Sequence, residues 1–310
     1  MIQGEGYIHL SSKAMIERVA ERFYPHLKIS EVNTSKSRVP FPAKESALGE
    51  EVLIKDCPDI ANGEARSQTP YREIVGALSY IAITCRPDIS FYTSQLARVQ
   101  SNHGDKHFQL AKHVLKYLLN TSEYGCTYRK GVSKVEYFVD ASWANVTPTY
   151  VTNAKGESVT VANDDGRKSA YGYVGYYAGG PISWAARMNK GRRPLSSTES
   201  ELCAATECAK DIIHVRELAH IMDIKMDGPT KIHEDNRSTI AQILREGITK
   251  RSRHIEIRWF YCQDLQKDGI IDVVWHPTNE MTADIFTKRL PEALFSKFRD
   301  KLVERPPQMK

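Results

Sequence analysis

No stretch of about eighteen consecutive apolar residues occurs in the 310-residue chain, which leaves no candidate for a membrane-spanning helix and predicts no membrane partner. The opening residues, Met1 to Gly6, lack both the charged and the apolar region of a secretion signal, so the chain reads as soluble and intracellular. Cysteine is sparse: the six residues Cys57, Cys85, Cys126, Cys203, Cys208 and Cys262 include no Cys-x-x-Cys pair. Cys203 and Cys208 lie five apart inside a helical pattern, which argues against zinc knuckles and disulfide frameworks and for buried reduced thiols. The ten histidines are scattered, and although His103 and His107 stand i, i+4, the Gly104 and Asp105 between them mark the start of a helix rather than a metal-binding face. No repeat or low-complexity tract is present, and no small-molecule cofactor is called for.

What is present is enough for two folded units. A composition of 41% hydrophobic and 26% charged residues can bury a substantial core at this length. A net charge of +5 permits a polyanionic partner without requiring one. Residues 7–28 read as a short strand and a helix with Met15, Ile16, Val19 and Phe23 near one face. From 30 to 69, prolines at 40, 42 and 58 among Ser, Lys and Glu predict an extended linker. Three helices follow in 70–130. The first opens at Pro70 with Tyr71, Ile74, Val75, Leu78 and Ile81 at helical spacing and ends before Arg86 and Pro87. The second runs from Asp88 to about Gln100, and the third from about Asp105 to Leu119 on an apolar stripe of Phe108, Ala111, Val114, Leu115 and Leu118.

The remainder, 131–310, changes pattern. Val135 to Ala141, Ala170 to Ala178 and Pro181 to Arg187 are β-rich, with Gly179 and Gly180 marking a hairpin. A long helix from Ser197 to about Met222 comes next, with Ser197 as its expected N-cap. Then follow a strand at Lys231 to Glu234, helices at Arg237 to Arg245 and His254 to Lys267, a strand at Ile271 to Trp275, and a helix beginning near Met281. Three antiparallel strands followed by crossover-linked parallel strands predict an α/β fold with one mixed five-stranded sheet flanked by helices, preceded by the small mainly helical domain.

Four carboxylates stand out. Asp140 lies in a strand whose neighbours Tyr137, Phe138 and Val139 are apolar, where a carboxylate is costly unless paired or metal-bound. In the long helix Glu201 shares a face with Thr198, Leu202, Ala205, Cys208, Ala209 and Ile212, whereas Glu199 shares a more polar face and suits the positive end of the helix dipole. Asp235 ends a strand and precedes a helix, a usual site position in sheets with parallel strands, though a helix cap explains it as well. Adjacent Glu234 is expected on the opposite side of the pleat. Asp284 falls in the expected first turn of the last helix, where dipole compensation is the alternative. Four converging acids require cations. Mg²⁺ suits carboxylate and water oxygens, and two ions about 3.5–4 Å apart can activate a water and stabilise a leaving oxygen at a phosphodiester.

The runs FVDASWA, DGRKSAYGYVGYYAGGPISWAAR, LSSTESELCAATECAKD, HEDNRSTIAQI, KRSRHIEIRWFY and HPTNEMTADIFTKRLP resemble the ribonuclease H domain of Ty1/copia-type LTR retrotransposon polyproteins. YREIVGALSYIAITCRPDISFYTSQLARV and HFQLAKHVLKYLLNTSEYG are similar to that family's helical connection between reverse transcriptase and ribonuclease H, and GYIHLSSKAMIERVAERF resembles the piece just past the polymerase palm. The resemblance implies a ribonuclease H-like fold in 131–310, a connection region in 70–130 and a remnant following the palm in 1–29. It also implies a nuclease that hydrolyses the RNA strand of RNA/DNA hybrids with two Mg²⁺ ions, for which Mn²⁺ can substitute. The family's four metal-binding acids fall on Asp140, Glu201, Asp235 and Asp284. An upstream reverse transcriptase region is the implied protein partner, and cytoplasmic virus-like particles, with the nucleus also open, are the implied location.

No Tyr-x-Asp-Asp motif occurs, so DNA synthesis is not expected of this chain. It departs from the family in extra Thr, Val and Asn residues between Asn145 and Asp165, read as an elongated, mobile first hairpin loop. Candidate sugar and phosphate contacts are Arg167, Ser169, Asn236, Ser238, Lys250, Arg251 and Arg253, and His276 stands near the site as a structural or catalytic candidate. The alternative reading is a catalytically inactive nucleic-acid-binding remnant of a decayed element. An integrase or transposase would carry its glutamate on a late helix, whereas here the glutamate is second in order.

Overall fold

A computed structural model describes residues 1–24, 38–42, 67–143, 149–152, 158–161, 169–189, 194–245 and 256–307. The expected linker at 30–69 and the candidates Arg167, Lys250, Arg251 and Arg253 lie largely or wholly outside the described residues. The chain divides into two compact units: Met1–Ser133 with Ala178–Pro181 and Arg289–Lys310, and Lys134–Tyr177 with Ile182–Lys288.

The first unit joins a small sheet to a helical core. Strands β1 (Ile2–Gly4) and β2 (Tyr7–Ser11) pair antiparallel, and helix α1 (Lys13–Phe23) buries Ile16, Val19, Ala20 and Phe23. Helix α2 (Tyr71–Thr84) follows the apolar stripe read from the sequence, with Tyr71, Ile74, Val75, Leu78 and Ile81 all buried. The expected second helix is shorter, a 3₁₀ turn Pro87–Ile89 leading into α3 (Ser90–Ala97), while α4 (Asp105–Asn120) matches its stripe. Strand β3 (Gly125–Arg129), which the sequence reading missed, pairs antiparallel with β2 across more than a hundred residues. Within this core Arg86 is fully buried and forks onto Asp88 at 2.9 and 2.8 Å. It also donates to the Thr121 carbonyl and hydroxyl at 2.9 and 2.7 Å, and Tyr117 Oη donates to Asp88 at 2.6 Å. Each guanidinium nitrogen of Arg86 and each carboxylate oxygen of Asp88 therefore has a partner, the condition under which such a buried pair is tolerated.

The second unit is an α/β layer built on a five-stranded mixed sheet in the order Ile271–Trp275, Thr230–Glu234, Glu136–Ser142, Ala170–Tyr177, Gly180–Met188. Strand β4 (Glu136–Ser142) runs antiparallel to β7 (Ala170–Tyr177) and parallel to β9 (Thr230–Glu234), which is parallel in turn to β10 (Ile271–Trp275). Between β4 and β7 lie β5 (Thr149–Thr152) and β6 (Ser158–Val161), an antiparallel pair of their own. This corrects the reading of 145–165 as a loop alone: the β-branched residues there form a two-stranded ribbon, as their propensity favours. Strand β8 (Gly180–Met188) follows β7 through a tight turn in which Ala178 and Gly179 both have positive φ, the backbone such a hairpin demands.

Helix α5 (Ser197–Ile221) lies across β4 and buries Leu202, Ala204, Ala205, Cys208, Ala209 and Ile212, small and apolar side chains that let it approach the sheet. Its N-cap is Ser196, one residue before the expected Ser197: the Ser196 hydroxyl accepts from Glu199 N–H at 3.1 Å, and Glu199 Oε2 accepts from Leu195 N–H at 2.6 Å, a reciprocal cap. The supposedly polar side of α5 is covered as well, since Cys203 and Thr206 are buried and Arg258 of the helix α7 (Glu256–Lys267) donates to Cys203 Sγ. Helix α6 (Arg237–Leu244) follows β9.

The expected helix from Met281 does not form there. Two 3₁₀ turns, Thr278–Glu280 and Thr282–Phe286, occupy that stretch, and the terminal helix α8 (Glu292–Leu302) starts only after Pro291 and groups with the first unit, not with the 131–310 segment to which the sequence reading assigned it. There Phe295 and Phe298 are fully buried, Phe295 edge-on to Tyr92 and Tyr117.

Candidate metal centre

Two adjacent parallel strands deliver the first two acids. Asp140 sits near the carboxyl end of β4, and Asp235 directly follows β9; the pairing of Phe138 with His233, carried along both strands, sets Asp140 beside Asp235. The helix-cap explanation of Asp235 fails, because Asn236 takes that role: its Oδ1 accepts from Ser238 and Thr239 N–H at 2.9 and 3.2 Å. Glu201 comes from the second turn of α5, whose cap fixes the register of the helix against the sheet. Each of Asp140, Glu201 and Asp235 offers a carboxylate oxygen, and these three atoms all lie within 4.8 Å of one another. Asp140 and Glu201 are buried, Asp235 half-buried.

Asp284 joins beside Asp140, with the ammonium of a lysine shared between them. It is 4% exposed on the 3₁₀ turn Thr282–Phe286, whose close seating against β7 depends on Gly172: a Cβ there would stand 2.4 Å from Phe286 Cβ. The chain then turns so that Thr287 Oγ1 donates to Asp140 Oδ2, and Lys288 Nζ stands 2.9 Å from Asp284 Oδ1 and 3.7 Å from Asp140 Oδ2. Sequence reasoning missed Thr287 and Lys288, although the i, i+4 spacing of Asp284 and Lys288 was a usable signal.

It also discounted Glu234. The pleat does give Glu234 the side of Ile232, but that is not outside the cluster: Glu234 is fully buried, and of the neighbouring charges it acts most strongly on Glu201. Its Oε1 accepts from Asn236 N–H at 3.0 Å. Burial, aggravated by the crowding of like charge, lifts these acids. Asp140 is pushed up to about 7, chiefly by burial, with Lys288 opposing and Asp284 adding to the rise. Glu201 and Glu234 are held well above the usual carboxylate range and Asp284 is raised, in each case first by desolvation. Burial works against the charge of Lys288, yet Asp140 and Asp284 more than offset it and raise its affinity for the proton.

The residues fit a hard divalent cation. Glu201 Oε2 and Glu234 Oε2 are buried without a hydrogen-bond partner, a costly condition for a carboxylate, and an ammonium has already been drawn between Asp140 and Asp284. Among the described residues no other group of His, Cys, Asp and Glu side chains comes together in this way.

The candidate contacts fall differently. Asn236 and Ser238 follow Asp235 at the start of α6, with Ser238 exposed. Ser169 is 1% exposed, its carbonyl accepting from Asn189 N–H at 2.8 Å, so its place is within the strand pairing. His276 packs edge-on to Phe138 and His233, each with ring centroids 5.1 Å away, and its backbone N–H donates to the Glu234 carbonyl at 2.8 Å. No helix of the described residues is long and apolar enough to cross a membrane.

No protein-family model matches the chain. Over 235 residues, 76% of its length, it is 30% identical to the retrovirus-related Pol polyprotein from transposon RE1 and 29% identical to that from transposon RE2, both of Arabidopsis thaliana, in each case covering 15% of the relative. Over 288 residues, 92% of its length, it is 27% identical to the retrovirus-related Pol polyprotein from transposon TNT 1-94 of Nicotiana tabacum, covering 19% of that protein. The chain thus spans less than a fifth of the length of these relatives. Its homologues are retrovirus-related Pol polyproteins from plant transposons.

Proposed function

We propose that the second unit is a ribonuclease H-type endonuclease that hydrolyses the RNA strand of RNA/DNA hybrids, as part of a copia-type retrotransposon polyprotein. The observation that carries this reading is the convergence of Asp140, Glu201 and Asp235, from two neighbouring strands and the helix across them, to within 4.8 Å. The order of the acids, with the glutamate second on the long helix and an aspartate on the final turn, supports a ribonuclease H-type nuclease over an integrase, whose glutamate would lie on a late helix.

Asp140, Glu201 and Asp235 would hold a divalent ion, with Asp284 beside them. Bound there, Mg²⁺, or Mn²⁺ in its place, would supply Lewis acidity toward a phosphate oxygen and would lower the pKa of a water so that its hydroxide form can attack phosphorus. The chain's own contribution is arrangement. Burial withdraws the acids from water, so that binding a cation relieves the cost of their charge, and the rigid strand ends keep their spacing fixed. Thr287 orients Asp140 by its hydroxyl bond. Asn236 and Ser238, which follow Asp235, would be the contacts to sugar and phosphate oxygens of a hybrid. Recognition would rest on the hybrid's shape and the 2′-hydroxyl rather than on base identity.

The test is incubation of the full chain with a hybrid labelled on its RNA strand, with duplex DNA and duplex RNA as controls, across a Mg²⁺ series. Cleavage confined to the hybrid and dependent on Mg²⁺ is expected. Glu201→Gln should lower it about 100-fold or more, since even the outer-shell partners of a metal ligand are worth about 10–100-fold, whereas Glu199→Gln should retain it. Hybrid binding that is indifferent to Mg²⁺, with no cleavage, would overturn the nuclease reading in favour of an inactive binding remnant.

A further inference from the structure

The four acids are not equivalent. Three offer oxygens within 4.8 Å of one another, while the fourth, Asp284, is tied to Asp140 by the ammonium of Lys288. That lysine is placed by the backbone. Lys288 N–H bonds the Asp284 carbonyl at 3.2 Å, which closes a turn and returns the side chain over Asp284, and the Thr287 hydroxyl fixes the same turn to Asp140. Its ammonium sits 2.9 Å from one carboxylate and 3.7 Å from the other, a bridging position between two acids that are otherwise candidates to share an ion. An ammonium is a compact point charge with no directional demand beyond its three donors, so it can fill a cation's place between carboxylates. It carries one charge where a divalent ion carries two, and it is tethered. The Lys288 side chain is 35% exposed, while Asp140 and Asp284 are almost wholly enclosed, so the lysine is the member of the trio that touches solvent.

We infer that Lys288 is a resident substitute for a second cation: the Asp140–Glu201–Asp235 group takes one divalent ion with the lysine in place, and an ion between Asp140 and Asp284 binds only by displacing it. The inference rests on the reading of the three acids as a metal centre. Lys288 is thus a positioning residue that sets how many ions the site holds, and its displaced ammonium would be free to meet a phosphate oxygen.

The test is Mn²⁺ binding by the full chain, read from the loss of the free-ion paramagnetic resonance signal. Wild type should bind one Mn²⁺ strongly and a second much more weakly. Lys288→Met, with Lys288→Gln measured in parallel against misfolding of either, should tighten the second event about ten-fold or more, while Lys288→Arg, which keeps the charge, should remain near wild type. Glu201→Gln should lose the first event. A methionine or glutamine variant whose second event matches wild type, with the first intact, overturns the role of Lys288 and leaves the metal centre standing. Absence of any saturable Mn²⁺ in wild type overturns both.

Discussion

At the scale of single residues, the energetics of the site are those of charge withdrawn from water. A buried carboxylate near others of its kind keeps its proton, and Asp140, lifted from 3.8 to about 7 chiefly by burial, is the case with a definite window. A carboxyl whose pKa is raised on folding contributes stability that is fully present below its unfolded value and is lost as pH rises through the folded one. Without divalent ions the wild-type chain should therefore lose thermal stability between about pH 4 and pH 7 relative to Asp140→Asn, as the burden of ionising this position appears. Added Mg²⁺ should recover that stability in wild type and leave the variant's melting curve little changed; melting curves in chelator and in Mg²⁺ across that range check both. Glu201 could be read in advance because the helical period separates it from Glu199. Glu234 and Lys288 could not. Alternation along a strand assigns a side of the sheet but not what packs on that side, and the value of Lys288 depends on a turn that brings Asp140, distant in sequence, within its reach.

At the scale of elements, the approach of the Thr282–Phe286 turn to β7 is permitted by the missing side chain at Gly172, where a Cβ would meet Phe286 Cβ at 2.4 Å and Thr287 Cγ2 at 3.1 Å. Gly172→Ala should push that turn outward, costing about 1–3 kcal/mol as overpacking does and weakening Mg²⁺ binding because Asp284, Thr287 and Lys288 move with it. Denaturation and metal titration of the one variant read the two effects. In the first unit, Asp88→Ala would leave the wholly buried Arg86 charge without its counterion, a loss of about 3–5 kcal/mol that chemical denaturation should report. Helices with clear apolar stripes, α2 and α4, were legible because local pattern and packing agree. Strand β3 was not, since its five residues become a strand only through pairing with β2, far away in the chain. The Met281 helix was expected from local composition, but the chain there folds as short 3₁₀ turns and resumes a helix only beyond Pro291.

At the scale of the whole molecule, the chain comprises two compact units and matches the plant Pol polyproteins over less than a fifth of their own length. The four acids are distributed over Asp140 to Asp284, nearly the full run of the second unit, so their meeting is a property of the completed fold and not of any segment. A cation bound there should link that unit's folding to metal concentration, by about 2.7 kcal/mol at a hundred times the dissociation constant. The most direct check on the central claim is anomalous diffraction from crystals of the chain soaked in Mn²⁺. A peak among the carboxylates of Asp140, Glu201 and Asp235, absent from Glu201→Gln crystals, is the expected result. Well-ordered acids with no peak between them, at Mn²⁺ concentrations that saturate known two-metal nucleases, would contradict it.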